Sequence, residues 1–306
     1  MRRFFLVLAC VSVFAQSPIR VEVRLVNASF TVRDAAGKLV TGLMKTDFEV
    51  FEDGAPQAIA HFSKGEDLPL ALGLIVDYSG SQEHFVKRHR KDIEGFLKSV
   101  MKPRDQAFLV CFGNRLRLGS DLTSDREAVA EGLERCTKDR AGLPQLGPAK
   151  ERRSLGTAFY DSIYYSVEEK LASVDGARKA LVIFSDGEDN SSAIDEMTAI
   201  DTAQKSDVVL FAMRYTEPEK TGILTARNKY GIRVMERIAR ETGGADFDAG
   251  EHGMKDFFQK IEEDLRSSYQ IGYYSSVPAD NTFHKVKIRP MMPGLVVRAK
   301  TGYYSR

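Results

Sequence analysis

Residues 70–76, Leu-Ala-Leu-Gly-Leu-Ile-Val, form an uninterrupted apolar run that ends at Asp77. A strand with one solvent-facing side alternates apolar and polar residues, so a continuous run indicates a strand buried on both faces of a parallel sheet. Such a strand needs helices on both sides of the sheet and crossover connections to its parallel neighbours. This segment therefore restricts the central part of the chain to an α/β architecture.

The segments that follow residue 77 alternate between helical and strand patterns. Apolar residues recur at three- and four-residue spacing from Phe85 to Val100, which predicts an amphipathic helix. Short apolar runs and helical patterns then alternate up to residue 266, which predicts a doubly wound, mostly parallel, Rossmann-like sheet. The predicted strands are 70–76, 108–112, 116–118, 180–185 and 208–213, and the predicted helices are 85–100, 125–136, 159–171, 194–205, 234–241 and 254–266.

The two ends of the chain have a different pattern. Residues 21–63 and 267–306 alternate apolar and polar residues in short runs between turn residues, as antiparallel strands do. Each end has too few strands to bury both faces of a sheet, so we expect the ends to pair into one small β-sandwich-like module that carries the α/β domain as an insertion. The predicted divisions are a signal peptide at 1–16, an N-terminal β segment at 17–66, the α/β domain at 67–266 and a C-terminal β segment at 267–306.

The first residues have the pattern of an export signal. Arg2 and Arg3 precede the apolar run 4–14, and Ala15 completes a small-residue cleavage site. We expect an exported protein, periplasmic or extracellular, with no membrane span after cleavage. A transmembrane anchor would need about 20 apolar residues, more than this run provides. A lipoprotein modified at Cys10 is the other alternative, but the residues before it fit that signal poorly.

Charge and cysteine content restrict the function further. Lysine plus arginine (44) nearly equals aspartate plus glutamate (43), so the chain has no overall field that would attract nucleic acid or an anionic membrane. Without Cys10 only Cys111 and Cys136 remain, and they could pair in an oxidising compartment. Because Cys111 lies in an apolar strand, we instead expect it to be a small, free core residue.

Oxygen-bearing side chains follow the buried strand at alternate positions. Asp77, Ser79 and Ser81 form a D-x-S-x-S sequence, and in an extended loop alternate side chains point the same way, while Gly80 permits a sharp turn. Carboxylate and hydroxyl oxygens suit a hard divalent cation, most readily Mg²⁺, with Mn²⁺ or Ca²⁺ as alternatives. A magnesium site with few protein ligands retains positions for water or for a partner's oxygen.

Two later segments bring further oxygens to the same edge of the predicted sheet. The strand at 180–185 ends at Asp186, and Thr157 precedes a predicted helix. Ligands of open α/β sheets bind beyond the carboxyl ends of the strands, near the point where the strand order reverses. The predicted metal ligands are therefore Asp77, Ser79, Ser81, Thr157 and Asp186.

These motifs, in their order and context, resemble the metal-ion-dependent adhesion site of von Willebrand factor type A domains. The resemblance rests on residues 77–81, on Gly156-Thr157 and on Ser185-Asp186-Gly187, and it extends over about residues 67–266. Segments 47–54, 241–245 and 269–273 look like those of the Acidobacterial VWFA-related family of exported proteins. The resemblance implies that a protein partner offers an Asp or Glu carboxylate to the cation. It implies no biological partner.

Other interpretations of these residues remain open. The two serines and Thr157 could cap helices, and Asp186 could be a turn residue. The metal could also serve only to lock a fold used in envelope assembly. The chain has no G-x-S-x-G, G-x-G-x-x-G or P-loop sequence, which argues against an esterase, a dehydrogenase or an NTPase. An aspartyl phosphotransferase is the nearest enzymatic alternative, but Ser79 replaces the second aspartate of its D-x-D motif.

Residues around the metal edge are candidates for partner contact. Tyr78 lies between two predicted ligands and is placed to cover the site or contact a partner. The segments 138–155 and 214–233 are long, rich in glycine, proline or charge, and border the predicted edge. Their cations would give a neutral chain a positive rim that speeds capture of an acidic partner, or they would be solvated without a role. The rim residues are Tyr78, Lys138, Arg140, Lys150, Arg152 and Arg153.

Overall fold

The computed structural model describes residues 24–65, 68–138, 142–148, 156–216, 223–250 and 254–305. The predicted signal peptide lies outside these residues. The strands of the described residues are β1 Arg24–Arg33, β2 Phe48–Glu52, β3 Ala55–Gln57, β4 Ile59–Lys64, β5 Leu70–Asp77, β6 Gln106–Phe112, β7 Leu116–Thr123, β8 Arg178–Ser185, β9 Val208–Arg214, β10 Asp246–Asp248, β11 Tyr269–Ser275, β12 Phe283–Pro290, β13 Val296–Ala299 and β14 Gly302–Tyr304. The α-helices are α1 Val86–Val100, α2 Arg126–Lys138, α3 Phe159–Ser166, α4 Glu196–Lys205, α5 Ala226–Thr242 and α6 Met254–Arg266.

The central sheet has six strands in the order β10-β9-β8-β5-β6-β7. All neighbours are parallel except β7, which runs antiparallel to β6. This confirms the predicted doubly wound α/β fold. The chain moves outward from β5 to β7 on one side and then from β8 to β10 on the other, so the strand order reverses between β5 and β8. Their carboxyl ends therefore flank the crevice where ligands of such folds bind.

Burial on both faces explains the uninterrupted apolar run of β5. Leu72 and Leu74 pack with α1, α2 and α6 in one core cluster. Ala71 and Ile75, which point to the opposite face, pack with α3, α4 and α5 in a second cluster. Each of these four side chains is at most 1% exposed.

Helix α5 differs most from its prediction. It begins at Ala226, well before the predicted start at residue 234, so part of the predicted loop 214–233 is helical. Its first turns are polar and lack the apolar spacing on which the prediction depended. The start is fixed instead by a reciprocal cap in which Thr225 and Asn228 bond each other's backbone N–H.

The two ends of the chain form a pair of four-stranded sheets, ordered β13-β1-β11-β4 and β14-β12-β2-β3. In each sheet, N-terminal strands lie beside C-terminal ones, because β1 pairs with β11 and β13 while β2 pairs with β12. Apolar residues of both sheets share one core cluster, in which the rings of Phe30, Phe48 and Tyr269 are in contact. The α/β domain is inserted between β4 and β11.

This pairing makes stability of the N-terminal strands depend on the C-terminal ones. Deleting residues 267–306 would remove both neighbours of β1 and one neighbour of β2, leaving too few strands for a stable sheet. Limited proteolysis of the truncated protein should therefore cleave within 24–64 much faster than in the full chain. Equal protease resistance of that segment in both proteins would show that the two ends fold independently.

The cysteine prediction is wrong. Cys111 and Cys136 form a disulfide between β6 and α2, with Cα atoms 6.2 Å apart. Both residues are buried, as predicted for Cys111, but they share one cluster because α2 packs over the end of β6. The sequence alone did not show that the helix would bring Cys136 against the strand.

Removing this disulfide should measurably destabilise the protein. The bond closes a loop with a sequence separation of 25 residues, and loop closure of this size contributes about 3.5 kcal/mol in the chain-entropy model. Denaturant unfolding of a Cys111→Ala/Cys136→Ala protein should show a loss of this order relative to wild type. Addition of a reductant should lower the stability of the wild type and leave the variant unchanged; an equal response of both would contradict the prediction.

Candidate metal centre

The loop after β5 changes conformation between the predicted ligands. Ser79 has extended backbone angles, and a 3-10 helix over Gly80–Phe85 begins directly after it. The oxygens Ser79 Oγ and Ser81 Oγ lie 3.2 Å apart, so the two side chains do converge. The two side chains therefore converge because the 3-10 turn, and not only the extended backbone at Ser79, brings the Ser81 hydroxyl back toward Ser79. Ser79 makes no side-chain cap to this helix, which removes the capping alternative for it.

The Asp77 carboxylate is fully buried at the end of β5. Oδ1 accepts a 2.8 Å hydrogen bond from the Ser79 amide, and Oδ2 accepts one of 2.6 Å from Ser185 Oγ. Burial, followed by the nearby charge of Asp186, raises the pKa of Asp77 to about 7, although the hydrogen bonds oppose the shift. The contacts within this chain therefore stabilise the ionised Asp77 carboxylate too weakly to offset its burial. A bound cation would supply the missing positive charge.

Asp186 links the end of β8 to the first loop. Its Oδ2 accepts hydrogen bonds from Ser81 Oγ at 2.7 Å and from Gln82 Nε2 at 2.8 Å. Its Oδ1 accepts one of 3.1 Å from the Glu188 amide, so the residue also forms the turn that was the alternative interpretation. The two roles are compatible, because each uses a different oxygen.

Close packing of α5 fixes the backbone that carries Asp186. Gly187 has φ +78°, and a Cβ there would lie 2.5 Å from the carbonyl oxygen of Gly231 in α5. A Cβ at Gly231 would in turn lie 2.2 Å from the Asp186 carbonyl oxygen. Only a pair of glycines permits this approach of helix to loop.

Thr157 lies beside the same edge and is 5% exposed. Its amide donates a 2.8 Å hydrogen bond to Asn190 Oδ1, and its carbonyl accepts from the amides of Asn190 and Ser191. Gly113 lies between the segment of Thr157 and the loop that follows β5. A Cβ on Gly113 would contact the carbonyl oxygens of Tyr78 at 3.7 Å and Gly156 at 3.8 Å. The three segments that carry the predicted ligands therefore meet at the carboxyl ends of the strands.

The acids that follow Asp186 make specific contacts within the protein. Glu188 is 7% exposed and pairs with Arg227 Nε at 2.5 Å, and burial raises the pKa of its carboxyl, with Asp186 adding to the shift. Asp189 accepts a 2.9 Å hydrogen bond from the Phe159 amide, and it therefore caps α3. Thr157 is thus not the cap of that helix.

The candidate rim is only partly described. Tyr78 packs on the first core cluster and places its hydroxyl 3.4 Å from the Leu133 carbonyl and 3.3 Å from Thr137 Oγ1, both in α2. Its hydroxyl is therefore held by α2. Lys138 is exposed and forms an ion pair with Glu134. The remaining rim residues, Arg140, Lys150, Arg152 and Arg153, lie outside the described residues.

A layer of aromatic and ionisable groups lies behind the first loop. His89 is fully buried, and its ring centroid lies 4.2 Å from that of Tyr215. Within the described residues, neither imidazole nitrogen has a hydrogen-bond partner, and burial, followed by Arg88 and His84, lowers the His89 pKa to about 3. His89 is thus a neutral core residue, and this excludes it as a catalytic base.

Two neighbours of the predicted ligands were not assigned a role from sequence. Ser185 donates to Asp77, and Gln82 donates both to Asp186 and to the Tyr215 carbonyl, the latter at 3.1 Å. Ser185 could have been found, because it is adjacent to Asp186 at the end of the same strand. Gln82 could not, because the alternation expected of an extended loop points it away from Ser81, whereas the 3-10 turn points it toward Asp186.

The described residues contain no group of three or more His, Cys, Asp or Glu side chains arranged for a metal ion. The candidate centre consequently depends on hydroxyls beside two carboxylates. In the same part of the chain, no helix is both long and apolar enough to cross a bilayer.

No protein-family model matches the chain, and no curated protein is significantly similar to it. Among solved structures it is similar to an aerotolerance-related membrane protein from Bacteroides fragilis (15% identity, 64% of this chain and 98% of that one, TM-score 0.47) and to BatB from Bacteroides thetaiotaomicron (15%, 65% and 100%, 0.46). It is also similar to proximal thread matrix protein 1 of the mussel byssus (12% identity, 79% of this chain and 50% of that one, TM-score 0.47), a protein also solved with a zinc-occupied MIDAS motif. Similarity at this level is too low to support an inference about function.

Proposed function

We propose that this chain is an exported, metal-dependent protein-interaction module. Asp77, Ser79, Ser81, Thr157 and Asp186 would hold one divalent cation, Mg²⁺ in the first instance, and a partner's Asp or Glu carboxylate would occupy its open position. One observation carries the proposal: the carboxylates of Asp77 and Asp186 lie close together at the strand ends, and neither has an ion-pair partner among the described residues. Buried charges of this kind are normally paired or bound to metal.

The chemistry of the surrounding groups supports a hard cation. Hydroxyls of Ser79 and Ser81 lie beside the two carboxylates, and oxygen ligands of this type are those that Mg²⁺ and Ca²⁺ prefer. A cation bound there would act as a point of attachment for an acidic oxygen. The protein residues would orient it, and the buried floor at Asp77 would limit the competition from water.

The structural-lock alternative requires a carboxylate of this chain in the cation's open position. Glu188 and Asp189 are the acids nearest in sequence to Asp186, and both are engaged elsewhere: Glu188 pairs with Arg227, and Asp189 caps α3. Neither is therefore available as a plug without breaking those contacts. This supports a carboxylate supplied by a partner.

Enzymatic function gains no support from an arrangement that resembles a hydrolytic triad. In the β-sandwich, His284 Nε2 lies 3.2 Å from Ser305 Oγ and His284 Nδ1 lies 2.7 Å from Asp53 Oδ2. Ser305 is fully buried, however, and its hydroxyl donates to Asp280 at 2.8 Å. A nucleophile must reach its substrate, so burial argues against this role for Ser305, and the cluster ties the end of the chain after β14 to the loop before β12.

Export rests on the sequence of residues 1–16 and receives support from the disulfide. Disulfides persist in oxidising compartments and are uncommon in the cytosol of mesophiles. The buried bond between Cys111 and Cys136 fits a chain that folds after translocation. The positive rim remains a proposal, because most of its residues lie outside the described part of the chain.

Metal-dependent carboxylate capture can be tested without knowing the partner. An array of immobilised peptides, in matched pairs that differ only by Asp or Glu against Asn or Gln, should retain the protein on the acidic member when Mg²⁺ is present. Retention should be lost in chelator, which removes the cation, and reduced in a Ser81→Ala variant, which binds the cation more weakly. Retention that persists in chelator, or that is equal for acidic and amide peptides, would contradict carboxylate capture.

A further inference from the structure

A large cleft separates the β-sandwich from the α/β domain. It has a volume of about 720 Å³, and it lies between β1 on one side and the segments 172–179 and 204–209 on the other. These segments lead into the amino-terminal ends of β8 and β9. The cleft is therefore at the opposite edge of the central sheet from Asp77 and Asp186.

Cationic side chains outnumber acidic ones in the lining of this cleft. The acids are Glu168, Asp175 and Asp207, of which the first two are exposed to solvent. The cations are Arg24, Arg178, Lys179, Lys205 and Lys300. The cleft is thus positively charged although the whole chain is close to neutral.

Lys179 is a partly buried cation of this lining whose side chain makes no direct polar contact within the described residues. Burial lowers the pKa of its ammonium, the charges of Asp207 and Asp175 oppose the shift in part, and Lys300 adds a smaller lowering. A partly buried ammonium without a partner is unfavourable.

Lys300 and Asp207 do not resolve this imbalance. Lys300 is 7% exposed, and its Nζ donates to the Gln204 carbonyl at 2.9 Å and lies 3.5 Å from Asp207 Oδ1. Asp207 Oδ2 also accepts a 2.9 Å hydrogen bond from Ser29 Oγ. The one acid that is not exposed is therefore already shared, while the Lys300 ammonium, which has three N–H donors, retains one for a further acceptor.

We propose that this cleft binds a small organic anion that bears phosphate or carboxylate groups, with Lys179 and Lys300 as its principal ligands. The anion supplies the negative charge that the lining lacks, and charge-assisted hydrogen bonds from two ammonium groups hold it. The volume lies within the 300–1,000 Å³ range of small-molecule sites, so the cleft has room for a ligand larger than inorganic phosphate. Because Lys179 belongs to β8 of the α/β domain and Lys300 follows β13 of the β-sandwich, a bound anion also joins the two parts of the molecule.

Calorimetric titration tests the proposal with pyrophosphate and citrate as separate probes. The full chain is freed of metal by a chelating resin and measured in low-salt buffer without chelator, so that the metal edge contributes nothing. We expect saturable binding of at least one probe. Lys179→Gln should weaken it by roughly tenfold or more, as expected for a lost charge-assisted contact. Lys179→Arg, which keeps the charge, should retain it, and Lys255→Gln, an exposed change on α6, should leave it unaltered.

The two probes distinguish the possible sources of the anion. Binding of pyrophosphate alone assigns a phosphate-bearing ligand, binding of citrate alone assigns a carboxylate-bearing one, and binding of both shows that the cleft recognises charge. The proposal is overturned if neither probe saturates, or if Lys179→Gln and Lys255→Gln bind as the wild type does. None of these outcomes depends on whether Asp77 and Asp186 bind a cation.

Discussion

Replacing Asp77 by alanine should abolish the binding of divalent cations. The variant removes one of the two carboxylates and also the acceptor that positions the Ser79 amide and the Ser185 hydroxyl. Wild-type affinity should be modest, with a dissociation constant on the order of 10⁻⁴ to 10⁻³ M, as for extracellular oxygen-ligand sites. Titration calorimetry with Mg²⁺, Mn²⁺ and Ca²⁺ should therefore give saturable heats for the wild type and none for the variant.

Thermal stability offers a second measurement of the same site. A cation at ten to a hundred times its dissociation constant stabilises the folded state by about 1.4–2.7 kcal/mol, so the wild type should melt at a higher temperature with metal than without. Asp77→Ala should show no such increase. Asp256→Ala, an exposed change on α6, serves as the control and should behave as the wild type does.

The Asp77 prediction has a clear contrary result. Equal heats and equal melting shifts in wild type and Asp77→Ala would remove the metal from these residues. Ser81→Ala keeps both carboxylates and should weaken binding without eliminating it, because one hydroxyl ligand and its hydrogen bond to Asp186 are lost. This graded series separates loss of the site from general misfolding.

Replacing His89 by leucine should make the protein markedly less sensitive to acid. The folded-state pKa of His89 is lowered from 6.5 to about 3, so between these values the unfolded chain binds a proton that the folded chain does not. Stability is therefore lost as pH falls below 6.5. Near pH 4 this one residue lowers the free energy of unfolding by about 3 kcal/mol. Leucine does not bind a proton, so the variant does not undergo this loss.

Denaturant unfolding at pH 7 and near pH 4 measures this difference, since acid effects on other groups are common to both proteins. The wild type should lose about 3 kcal/mol more than His89→Leu over that interval. His84→Leu, a change in the same basic segment, provides a matched control. An equal loss in wild type and His89→Leu would mean that the imidazole gains a proton, or access to water, in the folded state.

Several features could be predicted from sequence because they depend on short-range patterns. Because β5 is buried on both faces, all residues from 70 to 76 are apolar or glycine. The helical and strand patterns that alternate after it give the order of helices and strands. The positions of Asp77 and Asp186 at strand ends follow from the same patterns. Helix α5 shows the limit, because its first turns carry no apolar spacing and only the cap at Thr225 marks its start.

What the sequence by itself determined is the α/β class, the mixed pairing of the two ends and the strand edge that carries the candidate metal ligands. These follow from periodicity, which is local and is set by which face of each element meets water. Tertiary structure alone decided the contacts between distant segments: the Cys111–Cys136 bond, the burial of His89 against Tyr215, the donation from Gln82 to Asp186, and the cationic cleft at Lys179. Each depends on the distance and angle at which separate elements pack, and the pattern within one segment does not contain that information.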